Sequence, residues 1–151
     1  MNAQQTVTTG ENEFTVTRVF AAPRELVWET LTTPEHLTHF WGPRGTSTPL
    51  DGIVVELRPG GRFETLMVGE DGEEFGMRAV YEEIDPPAKL VFKELGMGLV
   101  NTTLLVDRGD GTTEVTITQT GLPEGMLNDE VLAGFLSSLE KNAEYLATLQ
   151  A

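Results

Sequence analysis

The sequence predicts an α+β fold in which a curved antiparallel sheet of seven strands wraps around one long C-terminal helix. Three observations predict it. Residues 131–149 carry apolar side chains at helical spacing, residues 48–120 are short β-prone runs separated by turn sequences, and residues 13–43 contain one strand pattern and two helix starts. A sheet with one face to cover and a single long helix at the end of the chain favour a two-layer arrangement.

The first strand is predicted at residues 13–20, EFTVTRVF, where Phe14 and Val16 alternate with polar neighbours. The segment before it is polar and has no apolar period. We therefore expect residues 1–12 to form a flexible tail and residues 13–151 to form a single domain.

Two short helices are predicted between strands 1 and 2. Pro23 suits the first position of a helix, where its missing N–H has no hydrogen bond to lose. Thr33 followed by Pro34 has the composition of an N-cap and a first helical residue. The second helix is expected to end at Gly42.

The part of the chain from residue 48 to residue 120 is predicted to be an antiparallel meander of about six strands, because turn sequences recur at intervals of roughly a dozen residues. These turn sequences are RPGG at 58–61, EDGE at 70–73, DPPA at 85–88, LGMG at 95–98 and GDGT at 109–112.

The C-terminal helix has a polar side chain inside its apolar stripe. Burial of the five apolar members would contribute on the order of 10 kcal/mol, so this face is expected to be packed. Asn142 has the same helical spacing, and on the last strand Gln119 shares a face with Val115 and Ile117. Two amides on otherwise apolar faces predict a cavity with a few polar groups. The apolar members of the stripe are Leu132, Phe135, Leu139, Leu146 and Leu149.

Composition excludes several classes of function. Ten Lys and Arg residues against 24 Asp and Glu give a net charge of -14, which disfavours binding to nucleic acid and to anionic membrane surfaces. The absence of Cys excludes a disulfide framework and a thiolate nucleophile. Since neither a signal peptide nor an 18-residue apolar run is present, we expect a cytoplasmic protein without membrane insertion.

Catalytic and metal-binding signals are weak. His36 and His39 are three residues apart but have no third ligand cluster, so we predict no metal site and no cofactor. The serines do not lie in a nucleophile elbow. Several ionisable side chains would face the interior if the strand registers were suitable, but a slip of one residue exchanges the two faces of a strand. We therefore name no catalytic residue. The candidates are Glu64, Arg78, Tyr81, Glu94 and His39.

Five stretches resemble the START-like superfamily of helix-grip folds, specifically its bacterial branch similar to the C-terminal domain of the activator of Hsp90 ATPase. They are APRELVWETLTTPEHLTHFWGP at 22–43, GGRFETLM at 60–67, MRAVYEEIDPPAKLVF at 77–92, TTEVTITQTGLP at 112–123 and GFLSSLEKNAEYLA at 134–147. This resemblance implies a seven-stranded sheet that grips the C-terminal helix, with an internal pocket for an apolar small molecule between them.

The sequence departs from the pattern of this branch at three places. Phe40 precedes Trp41 where two Trp residues are usual, Phe135 follows Gly134 where Trp is usual, and Asn142 stands where Leu is common. With these positions included, the pocket lining is predicted to comprise Trp41, Phe63, Met67, Met77, Phe92, Gln119, Phe135, Leu139 and Asn142.

The favoured function is the binding of an apolar, lipid-like or polyketide-like small molecule by a monomer or homodimer. Two alternatives stay open. One is an enzyme of the polyketide cyclase or aromatase type, in which an acid or base assists in the same pocket. The other is a co-chaperone module that acts on an Hsp90-type partner through its outer surface.

Overall fold

The computed structural model describes residues 5–151 and contains nine strands and three α-helices in that part of the chain. A short 3₁₀ helix spans Leu50–Gly52. The helices are α1 Arg24–Thr32, α2 Pro34–Leu37 and α3 Asp129–Leu149. The strands are β1 Gln5–Thr9, β2 Phe14–Phe20, β3 Thr46–Ser47, β4 Val54–Val55, β5 Arg62–Gly69, β6 Glu74–Asp85, β7 Lys89–Glu94, β8 Val100–Asp107 and β9 Thr113–Thr120.

The strands form one antiparallel sheet in the order β1-β2-β9-β8-β7-β6-β5-β3, and β4 also pairs with β5. The predicted α+β class, the antiparallel sheet and the long C-terminal helix are confirmed. The strand count differs, since seven strands were predicted. The additional ones are β1 and the two-residue β3, which is too short to produce a detectable period.

Strand β1 corrects the prediction of a flexible tail for residues 5–9, which lie within the predicted tail of residues 1–12. All five of its residues pair with β2, and the Arg18 guanidinium donates a 2.9 Å hydrogen bond to the Gln5 side chain. Sequence reasoning missed this strand because an edge strand needs main-chain pairing but no continuous apolar face. Its β-branched Thr and Val residues are compatible with that conformation. Residues 1–4 lie outside the described part of the chain.

The two short helices follow the predicted starts. Helix α1 begins directly after Pro23, and α2 has Thr33 as its N-cap and Pro34 in its first turn. The Thr33 side chain makes no capping hydrogen bond there. Helix α2 ends at Leu37 and is therefore shorter than predicted, because the chain turns before Gly42.

One row of inner-face side chains crosses five strands of the sheet. Tyr81 of β6 pairs with Phe92 of β7, Phe92 with Asn101 of β8, and Asn101 with Gln119 of β9. Gln119 in turn pairs with Phe14 of β2. Since cross-strand partners project to the same face, aromatic and amide groups share the surface that α3 covers.

Helix α3 lies over the inner face of the sheet. Its N-cap, Asn128, accepts a 2.9 Å hydrogen bond from the backbone N–H of Val131, which satisfies one free donor of the first turn. Asn142 and Leu146 are buried, whereas Leu149 is 39% exposed. The expectation that Leu149 belongs to the packed stripe is therefore wrong, and the buried part of the stripe ends at Leu146.

No helix within residues 5–151 is both long enough and apolar enough to cross a membrane.

Candidate functional site

Four aromatic side chains form a cluster on the inner face, and Phe63 is at its centre. The Phe63 ring stacks on Tyr81 at 5.4 Å between centroids and meets Phe92 edge-on at 5.0 Å. Trp41, from the segment after α2, contacts the edge of Phe63 at 5.3 Å. We call these four residues the aromatic cluster. Three of them, Trp41, Phe63 and Phe92, are predicted lining residues, and Phe63 contacts both of the others.

Helix α3 contributes the opposite wall. The Phe135 ring makes an edge contact with Phe14 at 5.0 Å, and Leu139 is buried one turn later. Phe135 is only half-buried, as is Leu132 one turn before it. The first half of α3 therefore covers the sheet less completely than the second half.

The segment after α2 approaches β5 at Gly42. Its φ of +93° favours glycine, and a Cβ atom there would lie 2.8 Å from the sulfur of Met67. Met67 thus lies beside the backbone that carries Trp41. Met77, on β6, is half-buried and packs against the core.

Amide side chains form a short hydrogen-bonded chain on the inner face. Gln119 Nε2 donates to Asn101 Oδ1 at 2.9 Å, and Asn101 Nδ2 donates to the Thr103 hydroxyl at 3.1 Å. Asn101 and Thr103 are buried and were not predicted as site residues. Asn101, Thr103 and Leu105 are spaced two residues apart on β8 and so share one face of the strand. This spacing is the sequence signal that would have placed the two polar residues on the inner face.

Four buried polar atoms have no hydrogen-bond partner within residues 5–151. One, Arg24 Nε, lies at the start of α1, and the other three are the Tyr81 hydroxyl, the Thr65 hydroxyl and Asn142 Oδ1. Leaving such an atom unsatisfied costs about 1–3 kcal/mol, and native proteins usually supply a partner, including ordered water.

The predicted inward ionisable groups divide into two sets. Tyr81 and Glu94 are buried. The Glu94 carboxylate accepts hydrogen bonds from the backbone N–H groups of Gly96 at 3.0 Å and Met97 at 2.6 Å, so it holds the turn between β7 and β8. A carboxylate bound in this way is poorly placed to act as a free acid or base.

The other candidates point outward. Glu64 lies between inward-facing neighbours on β5, and its carboxylate is 3.9 Å from the exposed Arg78 guanidinium. His39 is exposed and stacks on Tyr145 of α3, with centroids 4.6 Å apart. The second histidine, His36, shares a 2.6 Å hydrogen bond between its Nδ1 and the Tyr145 hydroxyl. Both histidines therefore fasten the α2 region to α3.

A family model described as Activator of Hsp90 ATPase homolog 1-like protein matches residues 21–147. This chain belongs to that family. The match extends from before α1 almost to the end of α3 and confirms the resemblance inferred from the sequence. No curated protein matches the chain in sequence.

Solved structures show the same fold as this chain. A protein of Nitrosomonas europaea is 24% identical, with a TM-score of 0.83 over 95% of this chain and 99% of that one. A Chromobacterium violaceum protein is 21% identical, with a TM-score of 0.81 over 88% and 96%. An AHSA1-like protein of Aeromonas hydrophila is 20% identical, with a TM-score of 0.76 over 90% and 94%. At these identities the likeness concerns the fold alone.

The nine predicted lining residues occupy three kinds of position in the structure. Four are buried, three are half-buried against the core, and two are half-buried at other positions of the sheet. In that order they are Phe63, Phe92, Leu139 and Asn142; Trp41, Met77 and Phe135; and Met67 and Gln119. Their contact with a ligand stays a prediction. Sequence reasoning missed Thr65 and the amide partner Asn101.

The buried phenol of Tyr81 predicts a loss of stability at alkaline pH. Burial raises the pKa of Tyr81 above its ordinary value of 10.0, so the folded protein holds the proton more tightly than the unfolded chain. The stability linked to this proton is fully present below about pH 10 and falls as the pH rises further. Urea unfolding between about pH 8 and 11 should therefore show a smaller decline for Tyr81→Phe than for the parent protein.

The comparison of Tyr81→Phe with the parent protein also controls for other groups that lose a proton at alkaline pH. Burial and the nearby Glu29 carboxylate raise the pKa of Tyr145 as well, but Tyr145 is present in both proteins and its contribution cancels. Equal declines in the two proteins would show that the Tyr81 phenol is not held in a desolvated site.

Proposed function

We propose that this protein binds an apolar small molecule between the inner face of the sheet and α3. The observation that carries the proposal is the set of unpartnered polar atoms on Tyr81, Thr65 and Asn142 within a largely apolar interior, whose other inner-face amides are bonded to one another. A guest molecule, with or without ordered water, would supply the missing hydrogen bonds. Small-molecule sites commonly combine apolar walls with a few such groups.

The walls suit an apolar guest. The aromatic cluster and Leu139 offer carbon surface on both sides, and burial of such surface contributes about 25 cal/mol per Å². Leu132 and Phe135, in the first half of α3, are half-buried, so this half of the helix is the less completely covered one. The membership in the family and the shared fold agree with this proposal at the level of architecture.

Fewer observations support the two alternative functions, a cyclase-type enzyme and a co-chaperone module. A cyclase-type enzyme needs a free acid or base inside, whereas the carboxylate of Glu94 is engaged by the turn after β7. The co-chaperone alternative rests on the family description. A cytoplasmic location and a monomeric or homodimeric state stay predictions.

Native mass spectrometry of freshly purified protein tests the proposal directly. A co-purifying small molecule that is released on unfolding is the expected result. A complementary titration with N-phenyl-1-naphthylamine, an apolar probe that fluoresces when shielded from water, should show saturable binding. A homogeneous apo mass together with no saturable probe binding would overturn the proposal.

Asn142→Leu is expected to stabilise the empty protein and to weaken binding of the same probe. The substitution removes a buried, unsatisfied carbonyl and so relieves roughly 1 kcal/mol or more, but it also removes a hydrogen-bonding group from the proposed site. Thermal unfolding of the ligand-free protein and probe titration measure the two effects. Asn12→Leu, at an exposed position, serves as the control and should change neither by much.

The opposite pattern has a clear meaning. If Asn142→Leu lowers the melting temperature and leaves the probe affinity unchanged, the amide supports the structure and does not contact the guest.

A further inference from the structure

We infer that the interior selects an uncharged guest that carries a hydroxyl or amide N–H group and discriminates against carboxylates. The inference rests on the function proposed above and narrows its ligand class. It depends on the hydrogen-bonding character of the three unpartnered atoms and on the way the nearby charges are already engaged.

Asn142 sets the requirement for a donor. Its Oδ1 atom is a carbonyl oxygen and can only accept a hydrogen bond, and the side chain is 1% exposed. It has the same helical spacing as the buried Leu139 and Leu146, so it belongs to the face of α3 that covers the sheet. A hydroxyl or N–H of the guest satisfies this atom, whereas a hydrocarbon or an ionised carboxylate does not.

The sheet side offers two hydroxyls that can donate as well as accept. The Tyr81 ring stacks on Phe63, and Thr65 lies two residues from Phe63 on the same face of β5. Both side chains therefore neighbour Phe63, the centre of the aromatic cluster, on the inner face of the sheet. A guest hydroxyl is the simplest group that donates to a carbonyl oxygen on one side and accepts from a hydroxyl on the other.

The positions of the charges disfavour an anionic guest. Glu94 lies on the same inner face. It pairs with the buried Ala79, and this pair is two residues along the strands from the Tyr81–Phe92 pair. The chain as a whole has a net charge of -14. A carboxylate brought into this interior would lose its hydration, and the negative charge of Glu94 on the same face of the sheet would disfavour it further.

The cations near α3 are already occupied. Lys141 Nζ donates a 2.9 Å hydrogen bond to the Gly42 carbonyl, and the Arg44 guanidinium pairs with Glu144 at 2.6 Å. On the sheet, Arg18 is bonded to Gln5 at the β1 edge. To neutralise a buried guest carboxylate, one of these three cations would have to give up its present partner. Arg24, whose buried Nε has no partner, lies at the start of α1 and belongs neither to the sheet nor to α3.

Three probes with the same ring system separate the alternatives: naphthalene, 2-naphthol and naphthalene-2-carboxylate. Titration of the full chain at neutral pH, followed by calorimetry or probe fluorescence, should give about tenfold tighter binding for 2-naphthol than for naphthalene, which is the size of effect that one good hydrogen bond produces. The carboxylate should bind at least about tenfold more weakly than 2-naphthol.

Two variants assign the effect to the named atoms. Asn142→Leu and Tyr81→Phe should each bring the affinity for 2-naphthol closer to that for naphthalene while binding of naphthalene persists. Tyr145→Phe is the matched control, since the Tyr145 hydroxyl is bonded to His36 and should leave the preference unchanged.

The outcomes distinguish the two proposals. If none of the three probes binds, the inference fails; if native mass spectrometry and N-phenyl-1-naphthylamine also give negative results, the proposed function fails with it. If naphthalene and 2-naphthol bind equally, or if the carboxylate binds as tightly as the naphthol, the ligand-class inference is wrong while the binding function stands. A preference for the naphthol that survives both Asn142→Leu and Tyr81→Phe would also overturn the inference.

Discussion

Phe63→Ala is expected to lower the free energy of unfolding by about 3–5 kcal/mol, the range for truncation of a buried aromatic side chain. Phe63 is 2% exposed and contacts the rings of Trp41, Tyr81 and Phe92, so its removal leaves a cavity at the centre of the aromatic cluster. Denaturant unfolding measures the effect.

Phe75→Ala provides the matched control. Phe75 lies on β6, the strand next to β5, and is 46% exposed, so the same truncation there should cost less than about 1 kcal/mol. A small effect of Phe63→Ala, comparable to that of Phe75→Ala, would mean that the interior around the cluster is loosely packed or collapses readily.

Gly61→Ala is expected to destabilise the protein by roughly 4 kcal/mol or more, or to prevent folding. A Cβ atom at Gly61 would overlap the backbone oxygen of Glu56 and would lie 2.9 Å from that of Arg58. These oxygens belong to a turn held by backbone hydrogen bonds, including one from Gly61 N to the Arg58 carbonyl at 2.8 Å. The clash is therefore with main chain that cannot shift freely.

Gly61 also affects the geometry of the aromatic cluster. The Gly61 carbonyl accepts a 2.9 Å hydrogen bond from the backbone N–H of Tyr81, so the turn before β5 helps to set the register between Phe63 and Tyr81. Expression yield, circular dichroism and denaturant unfolding report the outcome.

Gly76→Ala is the control for the glycine substitution itself. No atom lies within 4 Å of a Cβ built at Gly76, and its backbone conformation is open to other residues. The variant should be neutral or slightly stabilising, by up to about 1 kcal/mol, because alanine restricts the unfolded chain. A Gly61→Ala protein as stable as Gly76→Ala would contradict the close approach at the turn.

Turn chemistry explains why much of the sheet was predictable. Each turn sequence between residues 58 and 112 separates two observed strands, because Gly and Asp residues favour tight turns whatever packs nearby. Strand β1 was not predictable in this way, since its existence depends on pairing with β2. The shorter α2 and the exposed Leu149 likewise depend on where neighbouring elements end.

The site was only partly predictable for a related reason. Asn142 and Gln119 were found because each is a polar residue at an apolar position of its own element. Thr65 and Asn101 were missed, because their inward orientation depends on strand register. The same register places Glu64 on the outer face and Glu94 on the inner one.

The sequence by itself determines the order of the elements, the turns between the long strands and the two amides that interrupt apolar faces, because these are local properties of spacing and backbone preference. Only the tertiary structure decides which polar atoms are satisfied. The partner of Gln119 is 18 residues away and that of His36 is 109 residues away, whereas Asn142, on the same helix as Tyr145, has no partner for its oxygen within residues 5–151. Hydrogen bonds between distant segments depend on register and on the position of α3 over the sheet, which no local pattern encodes.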